Sequence, residues 1–102
     1  MIGYTTIGVS DMERAKSFYM DLFADKGAKT VTDMGRIAFI GTKRGEPMLA
    51  VCTPFDKGEA SPGNGGMIAF TMESKEEAEA MYHKAISLGA TCDGAPGQRI
   101  PD

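Results

Sequence analysis

Residues 6–23 read TIGVSDMERAKSFYMDLF (Thr6–Phe23), and a change of period inside this stretch decides the fold. Up to Val9 the chain is rich in β-branched residues and alternates, the pattern of a strand covering Ile2 to Val9. Ser10 or Asp11 then supplies an N-cap, and Glu13 stands at capping-box spacing from Ser10. Beyond it Ala15, Phe18, Tyr19, Leu22 and Phe23 recur at helical spacing and form one apolar stripe. Gly27 marks the exit of that helix.

Working outward, AKTVTDM and GRIAFIGT (28–34 and 35–42) read as two strands joined by a tight turn near Asp33 to Gly35. After the turn KRGE, PMLAVCT (47–53) reads as a fourth strand. PFDKGEASPGNGG (54–66) is dense in Gly and Pro, which makes it a loop or linker. MIAFTM (67–72) is again strand-like. In ESKEEAEAMYHKAISLGA, Ser74 and Glu77 repeat the capping spacing and Leu88-Gly89 ends a helix. TCD (91–93) opens a further strand.

The second half echoes the first. A shift of about 63 residues places Tyr4 on Met67, Ile7 on Phe70, Val9 on Met72, Asp11 on Ser74, Ala15 on Ala78 and Tyr19 on Tyr82. Strand, cap and helical stripe keep register without a gap. The expected fold class is therefore α+β: two βαβββ modules. Module one covers residues 1–54, a linker 55–66, and an incomplete module two 67–102. The third strand of the second module would recur at roughly residues 99–105 and its fourth at roughly 110–116, so the natural protein is expected to continue past this sequence.

Composition narrows the partners. A length of 102 residues allows one domain-sized core. The net charge is −3, and the Lys and Arg residues are scattered, which argues against a nucleic-acid surface. No apolar run approaches the ~20 residues of a membrane span, and the N-terminus lacks the pattern of a signal peptide. The expected location is cytoplasmic, where Cys52 and Cys92 would be free thiols.

TIGVSDMERAKSFYMDLF resembles the first strand, Asp turn and FY-containing helix of the vicinal oxygen chelate superfamily, the glyoxalase, bleomycin-resistance and extradiol-dioxygenase group. RIAFIGT and PMLAVCTP resemble its third and fourth strands, and MIAFTMESKEEAEAMYHKAISLGA the opening of its second module. The resemblance implies that each module curls its sheet into half a barrel with its helix outside, and that the two halves enclose one small-molecule cavity. Enzymes of the group hold a divalent metal with His, Gln or Glu on the first and fourth strands of each module. The second module's fourth-strand position falls in the absent hairpin; the positions within this chain are Tyr4 and Met67 on the first strands and Met48 or Ala50 on a fourth. None offers a carboxylate or imidazole, so no metal and no cofactor are expected.

Other chemistry finds little support. His83 lies just off the second helix's apolar stripe and reads as a solvated residue. Cys52 has no histidine placed to activate it. SPGNGG lacks the Lys-Ser/Thr of a phosphate loop. Glu73, Glu76, Glu77 and Glu79 sit where carboxylates favour a helix N-terminus. Strand alternation separates Tyr4, Thr6 and Gly8 from Thr5, Ile7 and Val9, and Met67, Ala69 and Thr71 from Ile68, Phe70 and Met72. The bulkier sets should cover the helices. A ligand cavity would then be lined by Tyr4, Thr6, Met48, Ala50, Cys52, Met67 and Ala69, mostly apolar with a few hydroxyls. The expected function is metal-free binding of a small hydrophobic or aromatic compound, as a homodimer. A metal-dependent lyase or dioxygenase of the same superfamily is the alternative, and a structural or interaction module the third reading.

Overall fold

Four strands and one helix form where the first half's alternation and periodicity place them. They are β1 (Tyr4–Gly8), α1 (Met12–Leu22), β2 (Lys29–Asp33), β3 (Ile37–Gly41) and β4 (Met48–Cys52), with a single 3-10 turn over Ala24–Lys26. The computed structural model describes residues 1–43 and 45–97. These divide into two compact units, Met1–Gly66 and Met67–Asp102.

In the first unit the strands lie in the order β1-β4-β3-β2. β1 runs parallel to β4, with Tyr4 opposite Met48 and Gly8 opposite Cys52. β3 is antiparallel to both β4 and β2. A bulge between Thr30 and Thr32 shifts the register of β2. The sheet is mixed and open, not closed into a barrel.

Local chemistry sets the element ends. Asp11, rather than Ser10, caps α1: its Oδ1 accepts the Arg14 N–H at 3.1 Å. The helix stops at Leu22, and Gly27 leaves the following turn at φ 77°, where a side chain would be strained. The β2–β3 turn is built on Asp33, whose Oδ1 accepts the Gly35 N–H at 2.9 Å while Met34 N–H reaches the Ile37 carbonyl at 2.9 Å.

α1 covers one face of the sheet. Ala38, Ile40 and Val51 form the buried cluster, and Val9, Met12, Ala15, Tyr19, Met20 and Ala28 pack against it. Val51 is the largest fully buried side chain; burial of a side chain of that size contributes about 1.5–3 kcal/mol. Met12 and Met20 join Ala15 and Tyr19 on the packed stripe. Unbranched thioethers fill the irregular gap between helix and twisted sheet that a strict apolar repeat would leave.

The second unit holds α2 (Lys75–Ser87). Ser74 Oγ accepts the Glu77 N–H at 3.0 Å, and Glu77 Oε2 accepts the Glu73 N–H at 2.9 Å. Its end is a Schellman motif: Ala90 N–H bonds the Ala85 carbonyl and Gly89 N–H the Ile86 carbonyl, both at 3.0 Å, with Gly89 at φ 107°. The strands expected at 67–72 and 91–93 do not form. A strand persists only where its backbone groups find a partner strand. β1 has β4 for that role, and no strand pairs with either segment among the described residues. The strand expected from near residue 99 lies outside the described residues. No helix among the described residues is long and apolar enough to cross a membrane.

Candidate functional site

The sheet face opposite α1 is set by register. Because Tyr4 pairs with Met48 and Ala50 with Phe39, the side chains of Tyr4, Thr6, Met48, Ala50, Cys52, Ile37 and Phe39 share that face. The Tyr4 and Phe39 rings approach from the two strands flanking β4 and meet edge to face, with centroids 4.8 Å apart and planes at 88°. On β4, Met48 stands opposite Tyr4 and Ala50 opposite Phe39, and Ala50 is fully buried. Ala50 is thus buried rather than accessible wall. Tyr4 remains about half exposed at 51%, Thr6 is exposed, and Met48 and Cys52 are half-buried. Gly41 leaves room for Met48, since a Cβ there would lie 2.8 Å from the Met48 Cγ.

Five of the seven residues expected to line a cavity therefore lie on one face of one sheet. The other two, Met67 and Ala69, belong to the second unit. Both are exposed and sit in an irregular stretch rather than on a strand. Phe39 and Ile37 escaped the sequence reading; applying the same alternation to β3, once paired with β4, would have found them.

A second concavity opens at the sheet end where β1 and β4 terminate and β3 begins. It is a groove of about 720 Å³, lined by Val9, Ser10, Arg36 and Thr53 and by the loop from Pro54 to Ala60. The loop folds back toward β1: a Cβ on Gly8 would touch the Ala60 Cβ at 3.8 Å. Arg36 anchors the opposite wall. Its Nη1 donates to the Thr53 carbonyl at 2.7 Å, and its own carbonyl accepts the Thr53 N–H at 3.0 Å. Its guanidinium lies 5.3 Å from the centroid of the Phe55 ring. Lys57 adopts φ 65°, the one positive φ outside glycine among the described residues, and its N–H reaches the Pro54 carbonyl at 3.0 Å. Asp56 Oδ1 accepts the Gly58 N–H at 2.9 Å and so closes the turn. The linker reading of this segment missed the groove, because the chain signals a turn there but not where the turn lands.

The family's metal positions that fall within this chain offer none of the donors a divalent metal prefers. The family positions present a phenol at Tyr4, a thioether or methyl at Met48 or Ala50, and a thioether at Met67. Hard and borderline cations take carboxylate, imidazole or thiolate. Among the described residues, no three His, Cys, Asp or Glu side chains come close enough to hold one ion.

Of the remaining reactive groups, Cys52 lies on this face, and His83 and Cys92 belong to the second unit. His83 is exposed on α2, its ring edge to face with Tyr82 at 5.2 Å. Cys52 and Cys92 are both free. Tyr82 donates its hydroxyl to the Cys92 Sγ at 2.8 Å, a bond that raises the phenol's pKa above its usual value. The acidic residues around Ser74 cap and flank the α2 N-terminus.

Comparison with known proteins agrees with this architecture. The family model for the glyoxalase/bleomycin resistance protein/dioxygenase superfamily matches residues 1–102. Among solved structures, the chain is similar to a glyoxalase/bleomycin resistance protein from Albidiferax ferrireducens T118. The two are 28% identical with a TM-score of 0.81, over 95% of this chain and 77% of that one. No curated protein matches the chain.

Proposed function

Since the chain belongs to the glyoxalase/bleomycin resistance protein/dioxygenase superfamily, we propose that it binds a small hydrophobic or aromatic molecule on the open sheet face, with no metal taking part. The observation that carries this reading is the edge-to-face Tyr4–Phe39 pair on the open sheet face. Two rings held edge to face present an aromatic edge and a half-exposed ring to a ligand. Met48 beside them is an adaptable thioether, and Thr6 offers a hydroxyl that fixes orientation. Met67 and Ala69 carry no part of this proposal. Two free thiols support a reducing, cytoplasmic setting.

A thermal-shift series with indole and 2-naphthol tests it, because a ligand of the native state stabilises by mass action. The melting temperature should rise with either compound. Tyr4→Ala and Phe39→Ala should each remove most of the rise. No rise with any aromatic compound, or a rise that both variants keep, refutes binding at this face. Metal analysis of the purified protein is the companion measurement. Stoichiometric zinc, nickel, manganese or iron would instead favour a metal-dependent lyase or dioxygenase of the same superfamily.

A further inference from the structure

The groove at the sheet end holds cationic donors that the fold leaves unspent. A guanidinium carries five N–H donors in a planar fork. Arg36 commits one of them, to the Thr53 carbonyl. Its stacking against Phe55 fixes the plane of the fork without using its edge. Lys57 lines the same groove, and among the described residues neither Arg36 nor Lys57 makes an ion pair. Asp56 is engaged by the Gly58 N–H, and Glu59, the acidic side chain in the lining, pairs with neither cation. Ser10 and Thr53 add hydroxyls to the wall.

We propose that this groove is a binding site for the oxyanion of a small molecule, a carboxylate or a phosphate, received by the free edge of Arg36 with Lys57 beside it and the carbon part of the ligand against Phe55. A guanidinium fork matches the two oxygens of either anion, and charge-assisted bonds to it are about twice as strong as neutral ones. The position of Lys57 supports the assignment. A lysine in the left-handed region is strained where glycine or asparagine would not be. The strain places a cationic side chain on the groove loop where a neutral turn residue would serve the backbone better. The volume accepts a ligand with an aromatic ring as well as its anion.

The proposal does not depend on the open-face reading, and one experiment separates the two. Amide chemical shifts of the full 102-residue chain are followed while sodium benzoate, phenyl phosphate or neutral benzyl alcohol is added. Saturable shifts should appear at Ser10, Arg36, Lys57 and Gly58 with benzoate, phenyl phosphate or both, and the tighter of the two names the anion. Benzyl alcohol should leave those amides unmoved; shifts confined to β1, β3 and β4 would report the open face instead. Arg36→Gln should weaken anion binding by about tenfold or more. That variant also gives up the bond to Thr53, so Lys57→Gly is the second arm. It removes a charge while relaxing the φ 65° backbone, and it should weaken binding several-fold in a protein at least as stable. Non-saturating shifts with both anions, equal response to benzyl alcohol, or unchanged affinity in both variants would overturn the site.

Discussion

Asp33 shows how much one side chain settles. Its Oδ1 holds the Gly35 N–H at the β2–β3 turn, and its Oδ2 takes the Lys16 ammonium at 3.0 Å, which ties α1 to the hairpin. Lys16 also reaches Glu13 at 2.9 Å. The Gly35 N–H first, and then Lys16, hold the Asp33 carboxyl below the usual carboxylate range. A depressed carboxylate stabilises the fold above its unfolded pKa and loses that contribution as pH falls through the folded value. Asp33→Asn should therefore flatten the acid limb of the melting temperature below about pH 4. A variant that loses as much melting temperature on acidification as the parent would contradict this. Lys16 is shifted upward, chiefly by Glu13 and then Asp33, so its contribution fades only as pH rises through that raised value. Gly41 carries a different constraint, because a methyl group there meets the Met48 Cγ. Gly41→Ala should cost about 1 kcal/mol in denaturant unfolding, the low end of overpacking, since a methionine can turn aside. In a Met48→Ala background the same substitution should cost almost nothing, and an undiminished cost would show that the backbone rather than Met48 objects.

At the scale of elements, the two helices share a sequence logic and differ in what they bury. α1 buries Leu22 and packs Met12, Ala15, Tyr19 and Met20 on the sheet cluster, whereas α2 contains no buried residue. Helices owe most of their stability to packing of an apolar face rather than to propensity. Amides of α2 should thus exchange with deuterium well before those of β3 and β4, through opening of the second unit alone. Equal protection across α2 and the central strands would show one cooperative unit instead. The same contrast explains what could be read in the chain. β1 to β4 and both caps were legible, because alternation and Ser/Asp spacing are local signals that the sheet and helices confirm. The segment 67–72 has the same alternation but no ladder, since pattern shows which face a strand would bury and not whether a partner exists. Register across strands was also hidden, so Phe39 went unseen beside Tyr4. Arg36 and Lys57 escaped for a further reason: they come together only after the 54–60 loop folds back over Gly8.

At the scale of the whole molecule, β1 and β2 are the edges of the first unit's sheet, with no further strand beside them among the described residues. Open edges offer rows of unpaired backbone groups, and a two-fold pair of identical chains can cover one another's. Two copies of the chain are expected to associate in solution. Light scattering with sizing should return twice the single-chain mass at micromolar concentration, falling to the single-chain mass on dilution if the contact is weak. A well-folded species of single-chain mass at every concentration would refute it.

The strand order has a kinetic meaning. β2, β3 and β4 follow one another and pair as neighbours, so they can assemble from contacts close in sequence. β1 comes first in the chain yet pairs with β4, the last strand made, with Tyr4 waiting for Met48. The loop-closure entropy for that pairing is paid over nearly the whole unit. The three-stranded meander should form the transition state, and β1 should dock after the barrier. Ile40→Val, in the meander's buried face, should then slow folding. Ile7→Val, on β1, should leave the folding rate alone and speed unfolding. Each change removes one methyl group, enough to resolve the two arms of a chevron. If Ile7→Val slows folding as much as Ile40→Val does, the chain's first strand is in place before the barrier, and the parallel pairing is what nucleates the unit.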